Sequence, residues 1–322
     1  MTNHFQQLRK YQEQADLSIL DKSIYVSIDR LTVLLDSQQS LRRIFRELRH
    51  SLDTVLQDFS IQENLREDTF TLYKMIDEDS INLIFFQLSS YGGYEVIRMD
   101  FNPNSLKEFQ GLKVWKQIMT YAYLNRLEVR LSRLDLAFDL FNRPEILLLQ
   151  HIKGGISHKV FYGRGGNVES KYWGASGSNV QVRLYDKNIE VIAHKRADKL
   201  KLKERPFWWR LEFQLRTKAI NEETLAEISK RLKNFGFYSL ASIPDGSKAF
   251  AYIFLHAPEM LSQLFPYLKP NTIRVKKTRL RKHFKADNTH AFSLELQEAL
   301  KEQTPRLNKE LHQLIGEFLT LD

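Results

Sequence analysis

The chain contains no cysteine, which excludes a disulfide scaffold, a thiolate zinc site, an iron–sulfur centre and a cysteine nucleophile. No uninterrupted stretch approaches the ~20 apolar residues that span a bilayer. The opening MTNHFQQLRKYQEQADLSIL lacks the apolar core of a secretory leader. A cytoplasmic protein with no membrane partner is therefore expected. None of the nine histidines falls in an H-x-H or H-E-x-x-H pattern, and no P-loop pattern occurs, so neither a histidine-built metal site nor a nucleotide-hydrolysing engine has support. Fixed-period repeats and low-complexity tracts are also missing, which argues against a solenoid or a disordered scaffold.

What is present is a chain of 322 residues, 43% hydrophobic and 27% charged, able to bury a sizeable core. Lys and Arg number 48 against 39 Asp and Glu, a formal charge of +9 that points to a polyanionic partner. The composition shifts near residue 237. The expected organisation is a polar lead-in over 1–22, a main domain over 23–236 and a basic accessory region over 237–322.

Apolar periodicity predicts a strand over 24–35, an amphipathic helix over 37–59, and a meander of strands over 69–76, 81–88 and 94–101 separated by turn signals. A helix is predicted over 105–124 with Ser105 as N-cap and Glu108 at the capping-box position. A strand over 127–141, a helix around 144–151 and two or three strands over 157–187 follow. A basic helix over 188–203, a strand over 207–216 and a helix over 219–235 complete the domain. Hairpins outnumber crossovers, so the fold class is α+β with a mainly antiparallel central sheet and flanking helices.

Three strands carry polar residues on one face, because successive side chains in a strand point oppositely. They present Arg133, Asp135 and Asp139; Gln181, Arg183, Tyr185 and Lys187; and Arg210, Glu212, Gln214 and Arg216. If the strands are neighbours, Asp135, Asp139 and Glu212 gather near Tyr185. Converging carboxylates make a hard oxygen site for Mg2+ or Mn2+, and a tyrosine hydroxyl can attack a phosphodiester there. Arg183 and Lys187 would hold the phosphate and favour the ionised tyrosine. On spacing alone these readings compete with solvated ion pairs and a packing tyrosine. Trp208 and Trp209 could stack on bases, with at least one expected in the core. The run Arg274 to Lys285 holds seven Lys or Arg and no acid, so Arg274, Lys276, Lys277, Arg279, Arg281 and Lys282 are candidate contacts to duplex DNA.

KYWGASGSNVQVRLYDKNIE resembles the signature of the Rep_trans replication initiation factors of rolling-circle plasmids. Tyr172, Gly174, Ser178, Arg183, Tyr185, Asp186 and Lys187 fall at the family spacing, while Ala175 and Ser176 depart from it. SRLDLAFDL and WWRLEFQLR resemble two further family strands through Arg133, Asp135, Ala137 and Asp139, and through Arg210, Glu212 and Arg216. The resemblance covers about residues 24–235. It implies an architecture like the HUH endonucleases without their histidine pair, and a DNA nicking-closing enzyme with Tyr185 as nucleophile. Cutting one strand at the double-strand origin would leave a 5′-phosphotyrosyl bond and a 3′-hydroxyl primer. Asp135 and Glu212, with Asp139 third, become the metal candidates for Mg2+ or Mn2+. Arg133, Gly174, Ser178 and Arg210 become DNA contacts beside the single-stranded nick site. Helicase recruitment and a homodimer on an inverted-repeat origin are further family expectations. A relaxase of a conjugative or mobilisable element shares these motifs, and a non-catalytic DNA-binding copy-control protein would share the charge.

Overall fold

The computed structural model describes residues 23–316, apart from 39, 56–57, 65–67, 77–78, 92–93, 144–145, 147–148, 152–155, 164–165, 194–206, 217–219, 221–222, 238–242, 257–259 and 287–289. The lead-in over 1–22 and most of the basic helix expected over 188–203 lie outside the described residues.

Ten strands form one sheet. In chain order they are β1 (Ile24–Asp36), β2 (Ser60–Asn64), β3 (Thr69–Ile76), β4 (Asp79–Tyr91), β5 (Tyr94–Phe101), β6 (Glu128–Phe141), β8 (His158–Tyr162), β9 (Val168–Trp173), β10 (Val180–Asp186) and β11 (Trp208–Arg216). Their spatial order is β2-β3-β4-β5-β1-β6-β11-β10-β9-β8. The meander β2 to β5, the β5–β1 pair and the β8–β9–β10 run are all antiparallel. A small second sheet pairs β7 (Leu149–His151) with β12 (Phe235–Phe237). The helices are α1 (Leu41–Val55), α2 (Pro103–Glu108), α3 (Leu112–Leu124), α4 (Lys187–Ala193), α5 (Thr224–Leu232), α6 (Asp245–His256), α7 (Leu261–Leu264), α8 (Pro270–Ala286) and α9 (His290–Ile315). The α+β class with a mainly antiparallel sheet is as the alternation pattern required.

Two expectations are corrected. The helix predicted over 105–124 is two helices, α2 and α3. Asn102, not Ser105, caps α2: its side-chain oxygen accepts from the N–H groups of Asn104 at 2.8 Å and Ser105 at 3.3 Å. Pro103 then suits the first turn, where its missing N–H is no loss. The chain breaks before α3 at Gln110, whose φ of 64° ends a helix. The helix expected around 144–151 is replaced at its end by β7, because Leu149 to His151 find backbone partners in Phe237 to Phe235.

The described chain divides into two compact units. One comprises the described parts of Met1–Val26, Phe138–Glu212 and Leu225–Glu302, and the other those of Ser27–Ala137, Phe213–Thr224 and Gln303–Asp322. In the second unit the rings of Phe45, Phe70 and Phe86 pack in series, and buried Trp115 donates from its indole N–H to the Leu314 carbonyl at 2.8 Å. In the first unit α6, α7 and α8 share a small core of Ile243, Phe250, Ala251, Leu261, Ile273 and Leu280. The acid-free run is thus helical: Ile273 and Leu280 face this core while Arg274, Arg279 and Lys282 are exposed. The Arg281 side chain lies outside the described residues.

One core residue is out of character. Lys171 on β9 is fully buried, donates to the Leu149 carbonyl at 3.3 Å, and has its pKa pulled down to about 7 by desolvation. A lysine lowered this way binds a proton in the unfolded chain but not in the folded one between about pH 7 and its ordinary value. Stability therefore rises with pH across that window and is lowest below it. Lys171→Met is expected to stabilise the protein by a few kcal/mol near neutral pH, the gain shrinking toward pH 10. Urea titrations of both proteins at several pH values check this; parallel stability–pH curves would refute it.

Candidate active site

β6, β11 and β10, the three strands with polar faces, are consecutive in the sheet. Within the first unit the central group is Glu212 on β11, fully buried. From neighbouring β10 the Arg183 guanidinium reaches both its carboxylate oxygens, Oε2 at 2.7 Å and Oε1 at 2.6 Å. The Tyr185 hydroxyl donates to Oε2 at 3.2 Å. Arg183 and Lys187 lie against the Tyr185 ring, 5.1 and 5.7 Å from its centroid. Lys187 also pairs with Glu190 at 2.7 Å. The alternation that gives β10 and β11 their buried apolar faces, Val182 and Leu184 on one and Leu211, Phe213 and Leu215 on the other, sends these polar groups to the same side.

Asp139, one of the expected metal ligands, is engaged differently. Its Oδ1 accepts from the Trp208 indole at 2.7 Å and from Arg210 Nε at 2.8 Å, and its Oδ2 accepts from Arg210 Nη2 at 2.9 Å. Arg210 and both tryptophans are buried, so this cluster braces the strand pair from inside and neither indole is offered to a base. In the second unit Arg133 grips buried Asp135 with two bonds, Nε to Oδ1 at 2.8 Å and Nη2 to Oδ2 at 2.5 Å, and also donates to Gln214 at 3.2 Å.

Each expected metal ligand thus carries an arginine. Among the described residues no group of three or more His, Asp or Glu is placed to hold a metal ion. As they stand, the carboxylates do not fit a resident Mg2+ or Mn2+, because the guanidinium paired with each one neutralises its charge and would repel a cation beside it.

Gly174 and Ser178 shape the β9–β10 turn. Gly174 has a φ of +93°, and a Cβ there would meet the Val180 carbonyl at 2.8 Å. The Ser178 hydroxyl bonds the carbonyls of Ala175 and Val180, each at 2.7 Å. Both residues therefore have a structural reason for their place in the motif.

Beyond β10 the same face continues through Tyr172, at the start of the first motif, and through Ser170, Lys159 and Phe161, which lie outside the three motifs. Arg183 stands opposite Tyr172 and Tyr185 opposite Ser170 on β9; Tyr172 stands opposite Lys159 and Ser170 opposite Phe161 on β8. Alternation in HKVFY carries the signal, but a register is needed to give it meaning.

Proteins named replication initiation protein from Staphylococcus aureus align with this chain. One is 30% identical over 120 residues, 37% of this chain and 35% of its own length; another is 33% identical over 94 residues, 29% and 28% respectively. The chain is a relative of replication initiation proteins. The alignment spans about a third of the length of these relatives. Among solved structures, a rolling-circle replication initiator protein from Geobacillus stearothermophilus is similar with a TM-score of 0.40 and 17% identity, over 70% of this chain and 91% of that one. No family model matches the chain.

Proposed function

We propose that this replication-initiator relative is a DNA nicking-closing enzyme that starts rolling-circle replication, with Tyr185 as nucleophile and Glu212 as the base that takes its proton. The observation that carries the reading is the hydroxyl of Tyr185 donating to a fully buried carboxylate that Arg183 bridges. Geometry of this kind suits general-base activation of a hydroxyl nucleophile. In the step itself the Tyr185 oxygen bonds to phosphorus and the phosphorus–O3′ bond breaks. The phenolic proton passes to Glu212, and the departing 3′ oxygen takes a proton from water to become the primer hydroxyl. Arg183 and Lys187 hold the phosphate oxygens as charge builds on them. The reverse step, with a 3′-hydroxyl attacking the phosphotyrosine, closes the strand.

The names of the curated relatives favour an initiator over a relaxase. The test is to incubate the purified protein with supercoiled DNA of the replicon that encodes it. Nicked circles whose 5′ end is joined to protein are expected; nicking without an adduct would overturn the tyrosine mechanism, and neither product would overturn the enzyme. Running the assay with and without a chelator reads the Mg2+ or Mn2+ requirement expected from the resemblance.

Duplex origin DNA is assigned to the region after 237, through the exposed side of α8. Lys276 and Lys277 lie against the rings of Phe250 and Phe254, at 5.5 and 6.0 Å, which leaves Arg274, Arg279 and Lys282 as outward charges among the described residues. Replacing these three by alanine is expected to lower the slope of log affinity against log salt by about 2 to 3, at ~0.9 for each phosphate no longer neutralised. A slope equal to that of the parent would remove α8 from the interface.

A further inference from the structure

We infer that the face of β8, β9 and β10 is the track for the single strand beside the nick, with Phe161 and Tyr172 as the rings on which its bases stack. This rests on the proposed nicking role of Tyr185 and adds the place where the substrate lies.

The registers align two rows across the three strands: Phe161, Ser170 and Tyr185 in one, and Lys159, Tyr172 and Arg183 in the other. Strands are spaced ~4.8 Å apart, so Phe161 stands roughly 10 Å from Tyr185 along its row. About three nucleotides at a stacked rise of ~3.4 Å cover that distance.

Phe161 is 51% exposed, unusual for a phenylalanine on a strand, and its ring meets that of Tyr172 edge-on at 5.3 Å. Lys159 at one end is exposed and Arg183 at the other is partly so. Neither row contains an acid; the nearest carboxylate described on this face, Glu212, is buried against Arg183. Aromatic faces between cations, on a surface continuous with the nucleophile, suit a single-stranded polyanion with open bases and not a second apolar surface. On β9 and β10 the opposite side is core, with Lys171, Trp173, Val182 and Leu184 all buried. Among the described residues of β9 and β10, the face that carries Tyr172, Arg183 and Tyr185 is therefore the open one.

Fluorescence anisotropy with labelled oligothymidylate of about 12 nucleotides tests this, since stacking of this kind tolerates any base. Phe161→Ala is expected to weaken binding on the order of tenfold, and Phe161→Ala with Tyr172→Ala further. Phe161→Trp should keep or tighten it, which separates stacking from misfolding. Lys159→Gln should lower the salt slope by about 0.7, one single-strand phosphate. Duplex binding should be unchanged in all four. Undiminished oligothymidylate affinity in the double alanine variant would overturn the track. So would loss of self-association in Phe161→Ala with oligonucleotide binding intact, which would make the face an interface between copies. The two proposals fail separately. Wild type that binds the oligonucleotide through Phe161 yet never nicks loses the enzymatic role alone, whereas wild type that nicks while the alanine variants bind normally loses the track alone.

Discussion

Tyr185→Phe is expected to reduce the covalent protein–DNA adduct to background while leaving DNA binding within about twofold of the parent. The substitution removes one oxygen. The ring keeps its place between Arg183 and Lys187, and Glu212 keeps its Arg183 partner on both oxygens. The loss of one hydrogen bond at 3.2 Å costs the fold on the order of 1 kcal/mol, so a properly folded variant is expected. The adduct is read by gel mobility after denaturation, and binding by anisotropy on the same preparation. An adduct persisting in the Phe variant would place the nucleophile elsewhere, with Tyr172, directly opposite Arg183 on β9, the next residue to replace.

Glu212→Gln should produce the second large effect, a fall in nicking rate of about 10²- to 10⁴-fold, the usual contribution of a positioned general base. Shape is conserved, but the proton acceptor and the negative charge are gone. Arg183 is then released to the DNA phosphate, so affinity should hold or rise while the rate falls. A merely structural ion pair would not give that split; its loss would lower stability and affinity together. The pH profile offers a further check. Without its base the variant depends on tyrosine ionising by itself, so its residual rate should climb with pH more steeply than that of the parent. An unchanged rate would reduce Glu212 to a strand-to-strand brace.

The Glu212 arrangement explains why part of the site was readable in one dimension. Alternation in VRLYDK and RLEFQLR places Arg183, Tyr185 and Glu212 on polar faces, and the apolar residues between them fix which face is buried. What alternation does not carry is pairing. That Asp139 would spend all its bonding on Arg210 and Trp208, while Glu212 reached the tyrosine, depends on which residues stand opposite across β6, β11 and β10. The tryptophans show the same limit: WW in a strand offers one ring to each face, but both faces of this central strand are covered, so both indoles are core.

Three strands of the meander, β3 to β5, were legible because they are local hairpins whose turns announce themselves in sequence, whereas β2 was not among the expected strands. The acid-free run from Arg274 was legible as charge alone; its helical form, and the division of its cations between ring contacts and solvent, came from packing on α6.

By itself the sequence determined the chemistry available to this protein. The lack of cysteine and of histidine pairs removed the common metal and thiol sites, and the spacing of three short motifs gathered an arginine, a tyrosine and a carboxylate into strands. Only the tertiary structure decided which of the three carboxylates meets the tyrosine, that all three carry arginines, and that Phe161 and Lys159 extend the same face. Side-chain direction along one strand repeats every two residues and can be read locally. Cross-strand partnership is set by register between segments far apart in the chain, and no local pattern encodes it.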